Sequence, residues 1–295
     1  MGGIIVDKTK LKKEQIRVTQ SACKRFELIV KDIKIPKLKY LHRSLDFKSN
    51  IHFQENEGKI YKYQKYKRGS VVMVNFGTNI GYELSGNHFA IVLNKDDNNK
   101  NGLLTVIPLT SKCKPQYLEL NDSILDLVLN AQNKYLKMLT DSQKTYSQHK
   151  KELLETLETA QIHMKKIEEL MSEDDYISKY SEILDKMFKE TNEYITQLEE
   201  LNSITDKESK EIDENMKKIF LVLEKYNTKN KTSYAMIRNI TTISKLKVLK
   251  PINKFDPIGK MYISDDSLNK IDEKIREIFT FCDIQSIDEQ TSDSI

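Results

Sequence analysis

Gly69-Ser70-Val71-Val72-Met73-Val74-Asn75-Phe76-Gly77 is the stretch that decides how this chain is read. Branching at Cβ stiffens a side chain at χ1 and suits it to a pleated, half-buried surface. A run of such residues between glycines therefore predicts a strand. Working outward, His88-Phe89-Ala90-Ile91-Val92-Leu93 predicts a second strand, and the Asp/Asn/Lys/Gly segment at 96–102 predicts a turn. Leu103-Leu104-Thr105-Val106-Ile107-Pro108-Leu109 predicts a third strand with a break at Pro108, because proline has no N–H to give to a ladder. Tyr117-Leu118-Glu119-Leu120 is short enough to be a minor fourth strand.

From 121 the apolar period changes to seven. Leu153, Leu157, Ala160, Met164, Ile167 and Met171 step by alternating fours and threes. So do Ile177, Tyr180, Leu184, Met187, Thr191, Tyr194, Leu198 and Leu201, and again Ile212, Met216, Ile219, Leu223 and Tyr226. This is the pattern of helices packed knobs-into-holes. Its methionines are read as core, not as a cofactor box. The polar stretches 172–175 and 203–207 are expected to be turns, which makes three helical runs, the first from about 122 to 171. Short runs of this kind pack as an antiparallel hairpin or small bundle; self-dimerisation is the competing use.

Beyond Asn230 the β signal returns at 234–243, followed by 246–252. Ser264-Asp265-Asp266 then opens a helix with a hydroxyl cap and carboxylates in the first turn. Leu268, Ile271, Ile275 and Ile278 fall on one face, and the helix is expected to reach about Phe281. The polar tail 283–295 is expected to fray. Upstream, Leu11, Ile16, Val18, Phe26, Ile29 and Val30 recur at helical spacing and predict a helix over 10–34, ending near Pro36. Tyr61-Lys62-Tyr63-Gln64-Lys65-Tyr66-Lys67-Arg68 is basic and aromatic. Its tyrosines either stack on unpaired bases while the lysines meet phosphates, or alternate along an edge strand.

Charge is divided unevenly. Residues 1–68 hold 18 Lys+Arg against 7 Asp+Glu, whereas residues 121–230 hold 16 against 23. A basic front and an acidic middle suit different partners, although solvated helix faces account for both equally well. No stretch approaches the roughly 18 apolar residues of a membrane helix. Ile4-Ile5-Val6 is too short for a signal-peptide core, and Met1-Gly2 is followed by Val6 where myristoylation wants Ser or Thr. Cys23, Cys113 and Cys282 are odd in number and far apart, so the expectation is a reducing, cytoplasmic setting with idle thiols. His42, His52, His149 and His163 have no partners at metal-ligand spacing, and the last two are expected at the surface. Neither a phosphate-binding Gly-x-x-x-x-Gly-Lys loop nor a serine nucleophile elbow occurs, which removes the common ATPase, kinase and serine-hydrolase classes.

The segment 67–77 resembles the opening strand of PemK/MazF toxins. Ile80-Gly81-Tyr82-Glu83-Leu84-Ser85-Gly86-Asn87-His88 through Asn94 resembles their Gly-Ser-Glu-Gln-x-Gly loop and second strand. Thr105-Val106-Ile107-Pro108-Leu109-Thr110-Ser111 resembles the third strand, which ends in a functional threonine. Residues 237–246 resemble the late strand, and Ser264 to Ile275 the closing helix. The resemblance thus covers about 66–120 and 232–281. It implies an α+β fold: a small SH3-like β-barrel interrupted by a long coiled-coil-like helical insertion. The corresponding division is a basic N-terminal helical extension at 1–66, barrel segments at 67–120 and 231–282 flanking an insertion at 121–230, and a tail at 283–295.

It further implies a type II toxin that cleaves single-stranded RNA without metal or cofactor. The cleaving step is attack of a 2′-hydroxyl on the adjacent phosphate with departure of the 5′-oxygen. The implied partners are the RNA, a cognate antitoxin and a second copy of the chain, with no membrane. The alternative is a degraded relative that only binds RNA or protein.

The family's functional arginine before the second strand falls on His88. A histidine, unlike an arginine, exchanges its proton near neutrality, so His88 is the first candidate for proton transfer, against a structural histidine capping the strand. Thr110 is a candidate for contacting the phosphate, against a strand-end hydroxyl bonding its own backbone. Glu83 is a candidate second proton carrier, against a residue that only orders its loop. The resemblance also places Ser85, Gly86, Asn87, Ser111, Asn239 and Thr241 at the RNA. The late arginine of the family becomes Thr241 and the loop glutamine becomes Leu84, so no cation for the phosphate stands where the family keeps one.

Overall fold

The computed structural model describes residues 8–172, 176–227 and 232–280. Residues 173–175 of the expected first turn, Phe281, Cys282, the tail from Asp283 and residues 1–7 lie outside the described residues. The chain divides into two compact units. One draws on Met1–Ser123, Lys231–Lys250 and Ile258–Ile295, the other on Ile124–Asn230 and Pro251–Pro257.

The first unit begins with helix α1 (Lys8–Lys31), a short 3-10 turn (Pro36–Tyr40) and helix α2 (Leu41–Asn56). Pro36 at the first position of the turn has its φ already set for helical geometry. The apolar residues of α2 are scattered around it, and Leu41 and Ser44 are its buried residues. Residues 61–67 are irregular and form no edge strand. Tyr66 turns into the core, which removes it from base stacking, whereas Tyr61 and Tyr63 stack on each other with ring centroids 6.5 Å apart.

Strands β1 (Val71–Asn75), β2 (Asn87–Val92), β3 (Leu103–Thr110) and β4 (Leu118–Glu119) follow. Helices α3 (Ile124–Met171) and α4 (Tyr176–Asn227) come next in the chain and belong to the second unit. Strands β5 (Tyr234–Ala235) and β6 (Thr241–Ser244) and helix α5 (Asp265–Phe279) complete the first. Every pairing is antiparallel, in the order β1-β2-β3-β5-β4, with β6 also on β3. Val72, Val74, Ala90, Val92, Leu104 and Val106 form the core with Tyr66, Phe76 and Ile243. The strands that follow α4 therefore pair with strands that precede α3.

The sheet is open, which corrects the expected closed barrel. Among the described residues, the outer side of β1 pairs with no named strand: it carries the isolated bridges Ser70–Tyr262 and Val74–Val248 and single backbone bonds to Leu249, Gly259 and Met261, and β4 and β5 are two residues each. Strands that short cannot extend a continuous ladder round to β1. The run 234–243 is likewise not one strand. Leu109 pairs with Ala235 and Val106 with Thr241, so three steps along β3 face six along the returning chain. The surplus is taken up by a 3-10 turn at Ile237–Asn239. β3 changes partner at Pro108, where its pairing with β2 stops and its carbonyl accepts from Met236 N at 2.9 Å. The segment 246–252 is no strand either; it begins inside the 3-10 turn Lys245–Lys247 and continues as irregular chain.

Two polar contacts fix this unit. Lys245 Nζ lies 2.7 Å from both oxygens of Asp97 and also donates to the carbonyls of Gln64 and Asn98. Tyr66 N gives Asp97 a further bond at 2.8 Å. Arg68, just before β1, is tied to α5 through Asp272. The predicted cap of α5 is present: the Ser264 hydroxyl accepts from Ser267 N, and Asp265 and Asp266 occupy the first turn.

In the second unit, α3 and α4 run antiparallel. The direction follows from His149 meeting Glu208 at 3.0 Å and His163 meeting Glu190 at 3.7 Å. Those histidines are therefore half-buried between the helices, not on an open surface. Among the described residues this unit has two helices, not three, because 203–207 contains neither Gly nor Pro and Thr205 is buried within α4. Ile167, Leu184 and Met187 pack as the heptad predicts.

Near the end of α4, Tyr226 is fully buried and its hydroxyl donates to Asp256 at 2.8 Å. Asp256 also receives Lys225 Nζ and Ile252 N. Burial and the neighbouring carboxylate push the Tyr226 phenol well above its ordinary value, so it keeps the proton it donates. Tyr226→Phe is expected to destabilise this unit by about 1–3 kcal/mol, since it leaves a buried carboxylate one donor short; helical circular dichroism through a urea titration measures it. No described helix is long and apolar enough to cross a membrane.

Candidate functional site

The loop between β1 and β2 is built from its own polar groups. Asn75 Oδ1 accepts from Gly77 N at 2.9 Å, and Gly86 N donates to Gly77 O at 2.7 Å, which closes the loop. The two glycines have φ of +75° and +93°, a region that side-chain-bearing residues rarely adopt. Inside the loop, Ser85 Oγ accepts from Asn79 N at 3.0 Å, and Asn79 Nδ2 donates to Leu84 O at 2.7 Å. Leu84, where the resemblance leads one to expect a glutamine, packs on the core.

The N-terminal segment holds this loop from outside. Ser44 Oγ on α2 accepts from Thr78 N at 2.9 Å, and Lys37 Nζ donates to the carbonyls of Asn79 and Gly81. Gly77 runs so close to α2 that a Cβ would lie 2.8 Å from Ser44 Oγ. Between the two segments is a cleft of about 600 Å³. The β1–β2 side contributes Asn75, Gly77, Thr78, Ser85, Gly86, Asn87 and His88. The N-terminal side contributes Pro36, Lys37, Tyr40, Arg43 and Ser44.

His88 is paired with Val74 in the β1–β2 register, which puts it on the core-facing side of the sheet at the end of the core. Its ring is half-buried, edge-on to Phe76 with centroids 6.2 Å apart. Nε2 lies 3.1 Å from Ser85 O. A carbonyl oxygen only accepts, so Nε2 carries the hydrogen in this bond, and in the neutral ring Nδ1 is the unprotonated nitrogen. The loop carbonyl of Ser85 thus fixes the tautomer and leaves Nδ1 as the atom that can take up a proton.

His88, Ser85, Gly86 and Asn87 therefore come together in one cleft, while the other predicted residues do not line it. Glu83 is exposed on the loop. Continuing the β2–β3 register would set Thr110 opposite His88, but that ladder ends at Ala90–Pro108; on the other edge of β3, Thr110 pairs with Tyr234. The Thr110 hydroxyl accepts from Lys112 N at 3.2 Å, a bond within its own turn. Ser111 is exposed, Asn239 ends the 3-10 turn, and Thr241 faces Val106 on β6.

Conversely, Lys37, Tyr40 and Arg43 have no motif that singles them out in the sequence. The one signal pointing to them is the basic excess of residues 1–68. Arg43 lies over the Tyr40 ring at 5.6 Å. Among the described residues, the lining includes two cations and one imidazole but no carboxylate. Hydrogen bonds from Lys37 to neutral carbonyls order its ammonium without cancelling its charge. An arrangement of this kind favours an anion and offers it one group able to exchange a proton.

The chain matches no curated protein. A family model does match part of it, and the match begins at Lys67 and runs through β1–β4 and α3 to Tyr176. It does not extend to 232–281. Residues 67–176, which carry His88 and the loop side of the cleft, are similar to the PemK-like, MazF-like toxins of type II toxin–antitoxin systems.

Proposed function

We propose that the protein is a toxin that cleaves single-stranded RNA in the cleft beside His88. The observation that carries this reading is the cleft's composition: cations and an imidazole of defined tautomer, with no carboxylate among the described lining residues to repel a phosphodiester. His88 Nδ1 takes the proton of the RNA 2′-hydroxyl as that oxygen bonds to the adjacent phosphorus. The bond from phosphorus to the 5′-oxygen then breaks, and the imidazolium returns the proton to that oxygen. The products are a 2′,3′-cyclic phosphate and a 5′-hydroxyl end, and no oxidant, metal or water is consumed in the step. Ser85 and Gly86 keep the loop, and so the His88 ring, in place. On this reading the helical unit is an insertion in the toxin domain, and an antitoxin is the natural protein partner.

The test is incubation of the full-length protein with a long single-stranded RNA in the presence of a chelator. Discrete cleavage is the expected result. RNA that is retained in a gel shift yet stays intact would reject catalysis and leave a binding module.

A further inference from the structure

The reaction proposed above needs a positive group at the phosphate, and the matched toxin segment puts none in the cleft: its lining residues from 67 onward are Asn75, Gly77, Thr78, Ser85, Gly86, Asn87 and His88. The cations come from the N-terminal segment, which lies outside the match. Of the two, Lys37 is committed to the loop carbonyls of Asn79 and Gly81. Arg43 has no carboxylate partner among the described residues, and it rests on the face of Tyr40. A guanidinium offers a planar fork that matches two phosphate oxygens at once. One held over an aromatic ring gives up less freedom on binding than one free in solvent.

We propose that α2 forms the phosphate-binding wall of this cleft, with Arg43 contacting the phosphate under attack and Lys48, with Lys247 beside it, seating the next phosphate along the strand. The proposal rests on the RNA-cleavage reading and names the source of its missing charge. Lys48 lies one helical turn beyond Ser44, and its Cε is 3.6 Å from the place a Gly77 Cβ would take. At about 1.5 Å per residue, Arg43 and Lys48 are separated by ~7.5 Å along the helix axis. That axial rise is comparable to one backbone step of an extended strand, and the five-residue spacing turns the two side chains about 140° apart around the helix, an angle their long stems have to close. Lys247 follows β6, and its neighbour Val248 bridges to Val74 of β1. Burial and the nearby Lys48 ammonium push Lys247 below its ordinary value, so the Lys247 charge is disfavoured while the seat is empty. A phosphate between them reverses that repulsion. Tyr40 is exposed beside Arg43, and its ring also carries Lys39 Nζ at 5.8 Å, which adds a further cation at this end of the wall.

The experiment uses the full chain, with two RNA probes of one sequence: an all-ribose strand for cleavage and a fully 2′-O-methylated strand for binding. Arg43→Ala is expected to slow single-turnover cleavage about 10²–10³-fold, the usual loss when one donor to a developing oxyanion is removed. Arg43→Lys is expected to restore part of it. Lys48→Met/Lys247→Met keeps the aliphatic stems. It is expected to weaken binding of the methylated strand and to raise the Tm of the free protein. The slope of log affinity against log salt should fall by about 0.7, the value for one phosphate no longer neutralised. A purely structural role for these lysines would lower the Tm and leave the salt slope alone. If the wild type cuts and Arg43→Ala cuts at the same rate, this proposal fails while the RNA-cleavage reading stands. If the wild type neither binds nor cuts, both fail.

Discussion

His88→Ala is expected to reduce RNA cleavage by about 10²–10⁴-fold, the usual contribution of a positioned acid–base group. Loss of activity alone would not separate chemistry from geometry, because the imidazole also donates to Ser85 O and rests against Phe76. His88→Gln separates them. Its amide can still donate to the Ser85 carbonyl, yet it cannot carry a proton at neutral pH. Both variants should be equally slow, while Gln should retain more of the wild-type thermal stability than Ala. A Gln variant as fast as wild type would show that the ring orders the loop and nothing more. His88→Arg, which restores the residue the family resemblance leads one to expect, should keep phosphate affinity and recover only part of the rate.

The largest effect on stability is expected at Asp97. Its carboxylate and the Lys245 ammonium are both almost completely buried, with side-chain exposures of 0% and 2%. Asp97→Ala leaves that ammonium with only carbonyls around it and also removes the acceptor for Tyr66 N. Breaking one partner of such a pair typically costs about 3–5 kcal/mol. Asp97→Ala/Lys245→Met should recover part of this loss, because it removes the orphaned charge as well. Denaturant unfolding of the full chain measures both variants. A single substitution that costs under about 1 kcal/mol would mean the cluster is open to water.

How much of this is legible in the sequence varies with the kind of signal. β1, β2 and β3 are readable because β-branched runs ending at glycine or proline have few other uses. The heptads give α3 and α4 and the residues packed between them. They do not give the continuity of α4 through 203–207, since polarity alone does not end a helix whose partner continues alongside it. The split of 234–243 into β5, a 3-10 turn and β6 is not legible either. It depends on β3 changing partners at Pro108, a property of the paired register and not of the run itself.

At the site, His88 and its loop stand out by resemblance. Thr110 and Glu83 stand out equally, yet neither lines the cleft. The contribution of α2 is invisible for a different reason. Its apolar residues follow no clear face, and the cleft joins residues 36–44 to 75–88, a pairing that no local pattern encodes.

Cleavage of RNA beside His88 by attack of a 2′-hydroxyl is tested most directly at a single bond. One cut site is mapped, and the ribose on the 5′ side of that bond is then replaced with deoxyribose. Wild-type protein is expected to leave a 2′,3′-cyclic phosphate and a 5′-hydroxyl on the all-ribose strand. It should leave the deoxy-substituted bond intact while still binding that strand. Cleavage of the substituted bond at the unsubstituted rate, or a 5′-phosphate on the product, would contradict the proposed chemistry.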